Sequence, residues 1–135
     1  MKKKSYIKIA KNVIDLEINA LRKLKKNLGS PFNETVKQIA KCSSKIIFCG
    51  VGKSGLIASK IAATMSSIGA PSFSLSASDS SHGDLGSISK KDILILISYS
   101  GQTNELKNII QYANRNKKIV LIGVMSKKNS VLYRS

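Results

Sequence analysis

Apolar residues recur every three or four positions at the start of the chain. Ile7, Ala10, Ile14, Ile18, Leu21, Leu24 and Leu28 fall on one side of a helical wheel, so the spacing predicts a helix over residues 5–28 with one face to bury. Gly29 ends it. Pro31 and Asn33 open a shorter helix over 34–41, with Val36, Ile39 and Ala40 on its inner side. The pattern then changes. Residues 45–49 form a compact β-prone run, and residues 92–97 a continuous apolar strand of the kind that parallel sheets bury on both faces. Two more strands are predicted over 71–75 and 119–124. A helix over 56–68, closed by Gly69, follows the first strand. Another, starting at Asn104 or Glu105 and ending at Arg115, precedes the last. Residues 76–89 are a long polar loop that holds the only histidine, His82, and loops of that length in a compact domain often carry function.

Strands alternating with helices imply the α/β class: an open parallel sheet with flanking helices on both faces, a three-layer sandwich. The 135 residues suffice for one core. Residues 1–42 read as a helical lead-in packed on a domain formed by 43–135.

In such a sheet the ligand crevice lies beyond the carboxyl ends of the strands. The loop Gly50-Val51-Gly52-Lys53-Ser54-Gly55 sits there, with glycines that let backbone approach a ligand and amide groups at a helix start, which together form an anion cradle. It also fits the dinucleotide pattern G-x-G-x-x-G. The acidic residue such a site needs after the second strand is missing from Phe73-Ser74-Leu75-Ser76, and Asp79 lies several residues further on. A nucleoside-triphosphate loop fails too, because its upstream glycine would fall at Ile47.

The second loop, residues 98–103, sets Ser98, Ser100, Gly101 and Thr103 between a buried strand and a helix. These hydroxyls are either phosphate ligands or ordinary helix caps. The same two-sidedness holds for three charged or titratable groups. Glu105 is a catalytic carboxylate or a first-turn residue complementing the helix dipole. Lys53 orients a ligand or is one more solvated lysine. His82, in Ser80-Ser81-His82-Gly83-Asp84-Leu85-Gly86, is an acid or base near neutral pH or a loop residue bonded to backbone. One histidine gives no basis for a metal site.

Charge modifies this picture only slightly. Lys and Arg number 23 against 7 Asp and Glu, a formal +16, which attracts anions of every kind. The lysines are scattered among many Ile, Asn and Ser, as an A/T-rich coding sequence would produce. With three Arg and no Trp the chain lacks the focused, aromatic-interleaved surface of a nucleic-acid reader. Cys42 and Cys49 are too few for a disulfide framework and lack zinc spacing, which points to a reducing compartment, the cytoplasm. The lysine-rich start is followed by alternating apolar and charged residues, not a signal-peptide core. No apolar run reaches membrane-spanning length.

Several motifs, taken in order, resemble one family. Gly50-Val51-Gly52-Lys53-Ser54-Gly55, Ala62-Ala63-Thr64, Gly69-Ala70-Pro71-Ser72-Phe73, His82-Gly83-Asp84-Leu85-Gly86 and residues 97–105, Ile-Ser-Tyr-Ser-Gly-Gln-Thr-Asn-Glu, are similar to those of the arabinose-5-phosphate isomerases, which carry a sugar isomerase (SIS) domain. The similarity runs from about Ser43 to the end. It implies a SIS-type, flavodoxin-like fold and interconversion of arabinose 5-phosphate and ribulose 5-phosphate, on the route to a lipopolysaccharide sugar. It implies an enediol intermediate, no cofactor, a homo-oligomer, Lys53, His82 and Glu105 at the active site, and Gly52, Ser54, Ser98, Ser100, Gly101 and Thr103 around the sugar phosphate. The family continues with another strand, a helical segment bearing a further glutamate and histidine, and often paired CBS domains. Ser135 falls short of these, so the sheet is expected to be incomplete and catalysis to be compromised.

Overall fold

The computed structural model describes residues 5–78 and 83–135. In chain order its elements are α1 (Tyr6–Asn27), α2 (Ser30–Ala40), β1 (Ile46–Gly50), α3 (Lys53–Ser67), β2 (Ser72–Ser76), a 3-10 turn at Asp84–Ser87, β3 (Ile93–Ile97), α4 (Asn104–Arg115) and β4 (Val120–Val124). The chain forms two compact units, the first ending at Lys37 and the second comprising Gln38–Ser135. The second therefore begins inside α2, earlier than the expected boundary after residue 42. Among the described residues no helix is long and apolar enough to cross a membrane.

In the first unit α1 has the predicted extent within a residue or two. No residue of α1 is buried, and Ile7, Ile14, Leu21 and Leu24 of its apolar stripe are exposed. Periodicity fixes which side chains share a side of a helix; it does not by itself supply a surface to cover them. Helix α2 starts at Ser30, ahead of the expected Glu34. Pro31 lies in its first turn, where a missing N–H is harmless, and the N–H groups of Phe32 and Asn33 both donate to the Gly29 carbonyl (3.1 and 3.3 Å).

In the second unit four strands pair in the order β2-β1-β3-β4, all parallel, with Ile46 opposite both Ser72 and Ile93, and Ile93 opposite Val120. β1 is buried at every position and β3 at all but its last, as continuous apolar runs require. Successive residues point to opposite faces. Ile46, Phe48, Ile93 and Ile95 join Ala58 and Ala62 of α3 in one apolar cluster. Ile47, Cys49, Leu94 and Leu96 join Leu106, Ile109, Ile110 and Ala113 of α4 in the other. The α4 residues follow the spacing of an amphipathic helix. The small side chains of α3 let its axis come close to the sheet. Each fully buried Ile or Leu in these layers contributes roughly 1.5–3 kcal/mol.

At the amino edge of the sheet a polar knot fixes β1 against β3. Asp92, with its side chain fully buried, receives Lys45 Nζ at 2.8 Å, Ser44 Oγ at 2.6 Å and the Ser89 N–H at 2.6 Å. Burial is the strongest single influence on this carboxyl and pushes its pKa up, but these donors and the Ser89 side chain together outweigh it and bring the pKa down from 3.8 to about 2.

Candidate functional site

The strand order reverses between β1 and β3: the chain leaves β1 towards β2, then crosses back to β3 on the other side. The loops after β1 and β3 therefore flank a switch point at the carboxyl edge, the usual ligand position in such sheets.

After β1 the backbone of strand and helix come into direct contact. A Cβ on Gly50 would lie 2.7 Å from the Ser54 carbonyl carbon, and one on Gly55 would lie 2.8 Å from the Gly50 carbonyl oxygen. Gly52, with φ +55°, turns the chain in a single residue. Helix α3 can therefore begin at Lys53, three positions before the expected Leu56. No side chain caps this helix. Lys53 is exposed and Ser54 half-buried. Beside the loop opens a cavity of about 310 Å³, bordered by Gly50, Gly52, Ser59, Ser74, Ser76 and Ser78.

After β3 the hydroxyls converge. Ser98 is buried; its Oγ accepts the Gly101 N–H at 3.0 Å and lies 3.1 Å from Thr103 Oγ1. Ser100 Oγ accepts the Gln102 N–H at 3.3 Å. Thr103 occupies the N-cap position of α4, yet its side chain makes no capping bond. Its hydroxyl meets Ser98 across the loop instead, so the simple capping explanation does not account for Thr103. Gly101, at φ +64°, gives the loop its reversal. Glu105 stands in the first turn of α4 and is exposed.

The structure thus brings Ser98, Ser100, Gly101 and Thr103 together, and places Gly52, Lys53 and Ser54 on the neighbouring loop of the same sheet edge. His82 lies outside the described residues. Sequence reasoning missed the chain after β4: the Gly101 carbonyl accepts the Leu132 N–H at 3.2 Å, and Gln102 Nε2 donates to the Asn129 carbonyl at 3.2 Å. No periodicity or motif links positions so far apart.

Comparison with known proteins bears out the fold. The SIS domain model matches residues 38–135. A Haemophilus influenzae protein named "Probable arabinose 5-phosphate isomerase" is 44% identical over 131 residues, 96% of this chain and 38% of that protein. The arabinose 5-phosphate isomerase KdsD of Yersinia pestis is 38% identical over 122 residues, 90% of this chain and 37% of that protein. This chain therefore spans less than two fifths of the length of these curated relatives. Among solved structures, an Escherichia coli CFT073 protein in complex with arabinose 5-phosphate superposes with a TM-score of 0.85 at 37% identity, covering 99% of this chain and 71% of that one.

Proposed function

Since the chain belongs to the SIS-domain family, matched over residues 38–135, we propose that it forms the sugar-phosphate-binding part of an isomerase interconverting arabinose 5-phosphate and ribulose 5-phosphate. The observation that carries this reading is the inward-turned hydroxyl pair of Ser98 and Thr103, 3.1 Å apart, in a loop at the head of an uncapped helix. The phosphate is held by the hydroxyls of Ser98, Ser100 and Thr103, with Gly101 shaping the loop through its N–H bond to Ser98 Oγ and Gly52 and Ser54 contributing from the β1 loop. Helix ends add only about 0.3–1 kcal/mol for an exposed anion, so the hydroxyls supply most of the affinity. The names of the relatives support the substrate.

The reaction moves one proton between adjacent carbons. A base removes the C2 proton of the aldose, the electron pair forms the enediol, and a proton returns to C1 while the O2 hydroxyl proton passes to O1. No atom is gained or lost and nothing is oxidised overall. Lys53, Glu105 and His82 are the groups we assign to proton transfer and to stabilising the oxyanion that develops. The same reading has the protein act in the cytoplasm as a homo-oligomer, on a small ligand and on neither nucleic acid nor membrane.

The test is NMR of ribulose 5-phosphate with the purified chain in heavy water, following arabinose 5-phosphate formation and deuterium entry at C1. Product or enzyme-dependent exchange is expected. A folded chain that binds the sugar phosphate without exchange would refute turnover by these residues and leave a binding module. Absence of binding would refute the site.

A further inference from the structure

The loop after β3 does not hold its shape by itself. Two bonds, from the Ser98 N–H to the Val124 carbonyl (3.0 Å) and from the Ser126 N–H to the Tyr99 carbonyl (3.2 Å), continue the β3–β4 ladder past its end. Two others reach further and fasten the tip of the loop. The Leu132 N–H donates to the Gly101 carbonyl, and the Gln102 side-chain amide to the Asn129 carbonyl.

Between these two ties Ser130 presses against the loop. It is 1% exposed. A Cβ on Gly101 would come within 2.6 Å of Ser130 Cβ and nearer still to its Oγ, so the serine wall and the Gly101 backbone are in close contact. Ser130 is itself fixed: its Oγ donates to Met125 Sδ at 3.5 Å and accepts the Tyr133 N–H at 3.3 Å. Leu132, 4% exposed, anchors the turn in the apolar cluster that includes Leu106 and Ile109.

A chain of dependence follows. Residues 129–132 fix Gly101; the Gly101 N–H holds Ser98 Oγ; and Ser98 Oγ sets the distance to Thr103. We infer that the turn at residues 129–132 is a positioning element for the anion-binding loop, acting through Ser130 against Gly101 and through Asn129 on Gln102. This rests on the reading that the loop holds phosphate. Merely covering the core would need only Leu132, whereas the exposed Gln102–Asn129 bond buries nothing and serves only to tie the two segments.

Two variants of the full chain test it. Gln102→Ala deletes the exposed tie, and Ser130→Val adds a branch where Gly101 has no room. Inorganic phosphate and arabinose 5-phosphate are titrated into ¹⁵N-labelled protein, with melting temperature and amide exchange at Gly101 and in β1 followed alongside. Both variants should bind both ligands about three- to tenfold more weakly. Gly101 exchange should quicken while β1 exchange stays unchanged. Unaltered affinity and unaltered Gly101 exchange in folded Gln102→Ala would overturn the inference, even if Ser130→Val fails to fold. If the unmodified chain binds neither ligand, the phosphate reading fails. The positioning role is then decided by Gly101 exchange alone, supported by quickening and overturned by constancy.

Discussion

Replacing Asp92 by Asn removes a charge from the knot at the amino edge of the sheet and keeps its shape. In the native chain the carboxylate accepts from Lys45 Nζ, Ser44 Oγ and the Ser89 N–H at 2.6–2.8 Å. An amide oxygen in the place of Oδ2 still accepts the Ser89 N–H and faces Lys45 Nζ, and the NH2 in the place of Oδ1 meets Ser44 Oγ, which must turn to accept; what is lost is the charge opposite Lys45. Losing one partner of a buried ion pair costs about 3–5 kcal/mol. Lys45 is 32% exposed and can turn its ammonium to water, which lowers the expected loss to about 2 kcal/mol. The pH dependence gives an independent check. The folded pKa of Asp92 is depressed, from 3.8 to about 2, so its contribution is complete above the unfolded value and disappears as pH falls through the folded one. Discounted for the exposed lysine, that contribution is about 1–2 kcal/mol. Urea denaturation followed by circular dichroism should show a gap of about 2 kcal/mol between the two proteins at pH 7, narrowing between about pH 4 and pH 2. A gap below about 0.5 kcal/mol at pH 7, or one that stays constant down to about pH 2, would refute the reasoning.

Three further outcomes are expected. The double change Ser100→Ala with Thr103→Ala should weaken arabinose 5-phosphate binding at least tenfold by calorimetry, since hydrogen bonds to a charged group contribute about 1.5–3 kcal/mol each; unchanged binding would remove the phosphate assignment. Glu105→Gln should leave that affinity within about threefold and reduce deuterium exchange into ribulose 5-phosphate by about a hundredfold or more, as loss of a general acid or base does. Cys49 is fully buried, and burial pushes its thiol up to about 12 against the smaller opposing effect of a backbone bond at Gly50. Iodoacetamide at pH 8 should therefore label the half-buried Cys42 well before Cys49, by mass spectrometry of the native protein, and equal rates would contradict the buried thiol.

The central strands were legible because their apolar runs have no polar interruption: residues 45–49 and 92–97 predict β1 and β3 within one position. The edge strands are legible too, β2 displaced by one residue and β4 beginning one residue later than expected and ending at Val124 as expected; Gly69 and Pro71 precede the first, Lys117 and Lys118 the second. The pattern of apolar residues places the start of α3 at Leu56, three residues after its true start at Lys53. A glycine-rich stretch looks like loop, whereas Gly52 needs only one left-handed residue to turn the chain into a helix. Four of the motif residues, Ser98, Ser100, Gly101 and Thr103, share one hydrogen-bonded loop, as their order in the sequence implies. Neither the use of Thr103 nor the Asp92 knot could be read from local pattern. Thr103 has the sequence context of a cap, and Asp92 the context of a strand start; what each does depends on Ser98 and on Ser44 and Lys45, which only tertiary structure brings near. The exposed stripe of α1 shows the converse, a correct pattern whose burial the pattern could not supply.

The parallel pairing of β1 with β3 also has a bearing on synthesis at the ribosome. Ser44 and Asp92 bond across 48 positions, and β1 gains its second neighbour only when β3 has emerged. Until then β1 has β2 as its one strand neighbour and α3 on one face, and the face of Ile47 and Cys49 that will meet α4 stays open. Contacts that close loops of this length form slowly, and partly folded chains with uncovered apolar strands are vulnerable to aggregation. A nascent chain arrested before residue 92 should accordingly remain sensitive to protease, and protection should arise abruptly once β3 clears the exit tunnel.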